Sequence, residues 1–304
     1  MKKTVVISFV AISLALAGLL AYQNSAPVDK VITSSPASGY ASSSTTSVQD
    51  TIDADKFLVT ELYEPAWSTP AETAPCRPYR GAIVNHHALA SDLIVKIVRE
   101  LARCRPDVKT VIILSPDHYN AGGSSIVTHH ASYSTAGDSV AVDTDSVARL
   151  LESVPQAGES ASLFDREHGV GVLVPFLHRV LPNVEIVPVA VKASINVEQR
   201  NNLTTWIADE SRRGNFILVS SDMSHYLDDS VAIKNDERTK RALADSNSNF
   251  FAFAKDGFTD NGPSIAATID ALRPKHWLLI DQTISSDYAG SSGFTTSYLV
   301  GFWD

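Results

Sequence analysis

Only two of the 304 residues are cysteine, too few for a disulfide-framework scaffold or a cysteine-rich zinc module. Basic residues are also scarce: 25 Lys and Arg stand against 34 Asp and Glu, a net charge of −9. That balance excludes a general nucleic-acid binder, which needs clustered cations against the phosphate backbone. Several catalytic signatures are missing as well. There is no G-x-S-x-G elbow, no H-E-x-x-H, no P-loop and no complete G-x-G-x-x-G, since Gly169-Val170-Gly171 lacks the third glycine. What is present is unevenly placed. Residues 1–56 carry four Lys and four Asp, so the whole net charge lies beyond them, and all nine histidines lie beyond residue 85.

The N-terminus reads Met1-Lys2-Lys3 followed by an 18-residue apolar run, Thr4–Ala21. Two lysines before such a run have the form of an export signal. As a helix the run would reach roughly 27 Å, close to a hydrocarbon core, so a cleaved signal and an uncleaved anchor over 1–22 both fit. Lys2 and Lys3 held inside would place the rest of the chain outside the cytoplasm, either membrane-anchored or secreted. Residues 23–55 contain 12 Ser or Thr and few large apolar side chains, which predicts a flexible tether over 23–56. A folded domain is then expected over 57–304. In an exported domain Cys76 and Cys104 can pair or remain free thiols, and spacing alone leaves both readings open.

Within the domain, short β-branched runs alternate with helical patterns. Strands are expected over 81–84, 108–114, 125–128, 139–142, 185–191, 216–219, 276–284 and 295–302. Helices are expected over 90–103, 143–152, 170–181, 197–212, 228–244 and 263–272. This alternation predicts an α/β fold: a central mixed, largely parallel sheet with helices on both faces. Sites in such sheets form where strands end. Asn85-His86-His87 follows one strand, Ser115-Pro116-Asp117-His118 a second, and Ser220-Ser221-Asp222-Met223-Ser224-His225 a third. Three strands each deliver a histidine just past their end, and imidazole is both a common metal ligand and the usual acid–base group near neutrality.

These segments resemble the Memo family, also called AmmeMemoRadiSam system protein B, which is similar in fold to the class III extradiol dioxygenases. His86-His87-Ala88-Leu89-Ala90 resembles the family's P-H-A-G-Y, and Ser115–His118 its G-P-S-H. Glu167-His168-Gly169 with Pro175-Phe176-Leu177 resembles E-H-S followed by P-F-L. Ser220–Tyr226 matches S-S-D-x-S-H-Y, and Asn261-Gly262-Pro263 stands where the family has Cys-Gly before an apolar helix. The resemblance runs in order over roughly residues 78–303. It implies His87, His118 and position 261 as metal ligands, His225 as an acid–base group supported by Asp222, and His168 as a further pocket histidine. Asn261 in place of cysteine is a departure, because a neutral amide is a poor substitute for a thiolate. The neighbouring Asp260 could supply a carboxylate if it pointed inward.

The resemblance implies a metal-dependent oxidoreductase acting on a small-molecule ligand, with iron or copper ahead of zinc. The alternative is a non-catalytic, membrane-tethered binding protein without metal. A protein partner is compatible with either. Structural roles compete at individual positions. Asp222 and Ser224 suit the cap of a following helix, Asp260–Pro263 reads as a turn leading into a helix, and His129, His130 and His178 read as surface residues.

Overall fold

The computed structural model describes residues 51–71, 75–255, 257–290 and 293–304. The N-terminal apolar run and the tether as far as residue 50 lie outside the described residues. Eleven strands occur among those described: β1 (Ile52–Asp53), β2 (Gly81–Val84), β3 (Thr110–Pro116), β4 (Ile126–Thr128), β5 (Tyr133–Thr135), β6 (Asp138–Val140), β7 (Ala157–Glu159), β8 (Glu185–Val191), β9 (Phe216–Ser220), β10 (Trp277–Ile284) and β11 (Ser297–Trp303).

Eight of these form one mixed sheet in the order β10-β11-β2-β9-β3-β8-β4-β7. Its centre, β2-β9-β3-β8, is parallel, and β11 and β4 run antiparallel on either side. Strands β2, β3 and β9 are buried along their whole length. That burial explains their unbroken aliphatic runs: a parallel strand covered on both faces has no polar side to alternate with. Helices Ser91–Cys104, Val197–Arg212 and Gly262–Leu272 pack around this centre. Ser91–Cys104 turns Leu93, Ile94, Ile97, Val98 and Leu101 inward, the spacing of one helical face. Asn196 and Gln199 form a capping box at the start of Val197–Arg212.

Three differences from the sequence expectations have physical causes. The helix expected over 170–181 is two, His168–Gly171 and Leu173–Val180, because Gly169 and Gly171 allow close packing and break the run. Residues 52–56, expected in the tether, belong to the fold: Ile52 and Ala54 are buried, and Ile52 pairs with Tyr133 of β5. Burial of these two apolar side chains and their backbone hydrogen bonds to the Ser132 and Ser134 carbonyls, at 2.9 Å each, outweigh the polar composition around them. Strand β6 joins β5 and β1 in a separate three-stranded sheet rather than the main one. Cys76 and Cys104 form a disulfide with their Cα atoms 5.1 Å apart, tying the segment before β2 to the end of helix Ser91–Cys104.

Candidate metal centre

The site lies at the C-terminal ends of β2, β3 and β9, where neighbouring strands part. The loop after β2 is folded by Asn85, whose Nδ2 donates to the carbonyls of His87 and Ala90 at 3.2 and 3.1 Å. The His86 backbone N–H donates to Asp222 Oδ1 at 3.1 Å, locking this loop to the one after β9. Asp222 is therefore not a helix cap; the following helix begins at Asp229.

Three imidazoles are oriented through the same ring atom. His86 Nδ1 lies 3.0 Å from Ser220 Oγ, whose proton is already given to the Gly169 carbonyl at 2.6 Å, so the histidine is the donor. His118 Nδ1 lies 2.6 Å from the fully buried Glu167 Oε1, and His225 Nδ1 lies 2.6 Å from the Met223 carbonyl. Each acceptor fixes the proton on Nδ1 and leaves Nε2 facing inward, the arrangement that prepares histidine to ligate metal. All three Nε2 atoms converge on one oxygen, Asp260 Oδ2, at 3.2 Å (His86), 3.6 Å (His118) and 3.8 Å (His225). Ser221 donates to Asp260 Oδ1 at 2.9 Å, while Oδ2 is buried and accepts no hydrogen bond. His168 stacks on His118 with centroids 4.2 Å apart and lies edge-on to His86 at 5.2 Å.

Two ligand atoms about 2.1 Å from a shared cation stand roughly 3.0–3.4 Å apart; His86 and Asp260 have that spacing, while His118 and His225 stand a few tenths of an ångström wider. His86, His118 and His168 offer nitrogens within 4.8 Å of one another, and so do His86, Asp222 and Asp260 with their ligand atoms. The residues fit a metal ion.

The same groups shift one another's titration. Burial would raise Asp260, but the charge on His86 and the contact with His118 outweigh it and hold the carboxyl well below its usual range. Burial would lower His118, yet the neighbouring carboxylates of Asp260 and Glu167 push it up to about 10. Glu167 is drawn down to about 2, its burial overcome by His118. His86 is raised, because Asp222 and Asp260 outweigh its burial. His168, desolvated and beside the charge on His118, is lowered to about 3 and stays neutral.

Of the residues expected from the sequence, the structure brings together His118, His168, Asp222 and His225. Two positions differ. His87 is in neither group of converging ligand atoms; its Nδ1 lies 2.6 Å from Tyr298 Oη, and His86 takes the place beside Asp260. Asn261 is tied to the strand ends, and its Oδ1 is buried without a hydrogen bond. Its Nδ2 donates to the carbonyls of Leu114 and Ser220 at 3.0 and 2.9 Å, holding β3 and β9 together where they diverge. Asp260, the preceding residue, supplies the carboxylate instead. Glu167, expected only as part of a motif, proves to hold His118 at both Nδ1 and the backbone N–H, the latter at 3.0 Å. A signal for it was available: an acidic residue beside a pocket histidine is the usual orienting partner. His129, read as a surface residue, is buried, with Nε2 2.9 Å from Tyr133 Oη.

A protein-family profile described as Memo-like protein matches residues 76–299, and the chain belongs to that family. Among curated sequences it is similar to a MEMO1 family protein of Caldivirga maquilingensis, 28% identical over 120 residues, which covers 39% of this chain and 43% of that one. It is also similar to a MEMO1 family protein of Thermotoga petrophila, 24% identical over 194 residues, or 62% and 69% of the two chains. The match to the first of these spans less than half of the relative's length. An uncharacterized protein from Escherichia coli K12 superposes with a TM-score of 0.49 at 13% identity, covering 71% of this chain and 98% of that one. Among the described residues, no helix is long and apolar enough to cross a membrane.

Proposed function

We propose that this Memo-family chain is a metal-dependent oxidoreductase acting on a small molecule, with the metal held by His86, His118 and Asp260. The observation that carries the reading is the convergence of three Nδ1-anchored imidazoles on the buried Asp260 Oδ2. Two histidines and one carboxylate with open positions suit iron(II), and copper is the second candidate. Such a metal, when bound, supplies a Lewis acid and a one-electron couple for oxygen-dependent chemistry.

The chain's own groups then have separable tasks. Glu167 and Ser220 keep the ligand imidazoles in one tautomer. Asp222 holds the His86 backbone. His225, with Nδ1 fixed on the Met223 carbonyl, is placed to take or give a proton at Nε2 for a substrate entering beside the metal. His168 is the most open of the group, its side chain 38% exposed, and flanks the entry. The departure at position 261, which favoured a non-catalytic binding protein, loses its force because the adjacent residue restores an anionic ligand.

Two features support an exported protein: the basic and apolar N-terminus, and the Cys76–Cys104 disulfide, a bond that persists in oxidising compartments. The test is anaerobic purification, elemental analysis, and oxygen uptake by the iron(II)- or copper-loaded protein across a panel of small phenols and other reductants. The reading expects one metal per chain, and uptake that His225→Ala abolishes while the metal remains. Negligible metal in a protein purified anaerobically would defeat it.

A further inference from the structure

His168 differs from its neighbours in what holds it. His86, His118 and His225 are each fixed through Nδ1, whereas His168 Nδ1 is 3.8 Å from Glu167 and makes no close hydrogen bond. Its position must come from the backbone of the short helix His168–Gly171. The inner face of that helix is seated by Gly169: a side chain there would strike Ser115 Oγ, at the end of β3, and Ser220 Oγ binds the Gly169 carbonyl.

The outer side is covered by residues 52–57. The Phe57 ring lies directly against Gly171, leaving no room for a Cβ. Lys56 pairs with Asp165, three residues before His168, as Gly171 lies three after it. The segment is itself anchored. Asp55 accepts hydrogen bonds from Thr135 Oγ1 at 2.6 Å and the Ala136 N–H at 2.8 Å, and the Ile52 and Ala54 N–H groups donate to the Ser132 and Ser134 carbonyls. The segment itself precedes the family match, which begins at residue 76.

We propose that Ile52–Phe57 is a positioning strap for His168, with Phe57 as its wedge, so that the segment joining the domain to the N-terminal residues sets the stiffness of one wall of the metal centre. The inference rests on the reading of His168 as facing the metal. An exposed ion pair such as Lys56–Asp165 contributes little; the packing of Phe57 on Gly171 carries the effect.

The test uses the full chain and two readouts. The first is amide hydrogen exchange of residues 166–172 in metal-free protein. Phe57→Ala should speed it by roughly tenfold, and leave residues 86–90 and 117–120 unchanged, because only the local opening is altered. The second is cobalt(II) affinity with its visible spectrum. Phe57→Ala should weaken binding roughly threefold to tenfold and change the spectrum, Phe57→Leu should restore both, and in a His168→Ala background Phe57→Ala should have no further effect. Gly171→Ala should also perturb the site, less so when combined with Phe57→Ala, which makes room for the new methyl. Unchanged exchange, or an equal loss of cobalt with and without His168, would overturn the strap. If wild type binds no cobalt, the metal reading fails while the exchange result still decides for or against the strap; if Phe57→Ala does not fold, Phe57→Val, which also removes the ring from Gly171, carries the exchange measurement with a smaller increase expected.

Discussion

His86 and Asp260 meet in the candidate metal centre, while their chain neighbours His87 and Asn261 bond to the surrounding framework. In each pair the residues are consecutive and polar, yet their surroundings differ completely. His86 lies among Asp222, Asp260 and Ser220; His87 meets a buried tyrosine hydroxyl. Asp260 Oδ2 receives three imidazole nitrogens; Asn261 spends its amide protons on two strand-end carbonyls. The contrast shows that residue type brings a side chain to the right end of the sheet, and that the loop backbone decides which of two neighbours enters the site.

The largest expected effect bears on the second pair. Asp260→Ala should lower metal affinity by more than about 100-fold, since it removes the one anionic ligand from a buried cluster of imidazoles. Equilibrium competition with a chelator measures it. Next, Glu167→Gln should cost roughly 10-fold to 100-fold in affinity, because the amide accepts more weakly from His118 Nδ1 and no longer fixes its tautomer. Asn261→Cys separates the two neighbours cleanly. It should leave metal affinity unimproved while destabilising the fold by about 1–3 kcal/mol, the effect of leaving two buried carbonyls unpaired, read by urea unfolding.

The smallest effect compares two buried aspartates. Asp260 is pulled down by histidines, whereas Asp236, buried with only Ser224 and Ser297 as close partners, is pushed up to about 6 by burial. Between the unfolded carboxyl's ordinary range near 4 and about pH 6, folded Asp236 keeps a proton that the unfolded chain releases. Its contribution to stability is therefore present below that range and lost as pH rises through it. Asp236→Asn should remove this loss, making the variant relatively more stable at pH 7 by on the order of 1–2 kcal/mol, with the gain vanishing near pH 4. Parallel unfolding curves across pH 4–7 check it.

Much of the fold was legible because its determinants are local and repetitive. The β-branched runs of β3, β8 and β9 and the apolar face of helix Ser91–Cys104 carry their own signatures. The place of the site was legible too, since strands, not loops, bring His118 and His225 to one end of the sheet. The choice between His86 and His87 was not. Strand β2 is buried on both faces, so no polar alternation runs into the loop to say which residue points inward. The same holds after residue 259, where a turn sets direction and motif spacing suggested Asn261. Strand β1 was hidden by its serine- and threonine-rich surroundings; its pairing with Tyr133 depends on a partner 81 residues away.

A metal titration of His86→Ala and His87→Ala side by side with wild type, followed by cobalt(II) absorption and chelator competition, tests the proposed site most directly. The expected result is one site per chain in wild type, an affinity within about threefold of wild type for His87→Ala, and a loss of more than about 100-fold for His86→Ala. Retention of metal by His86→Ala together with its loss in His87→Ala would contradict it.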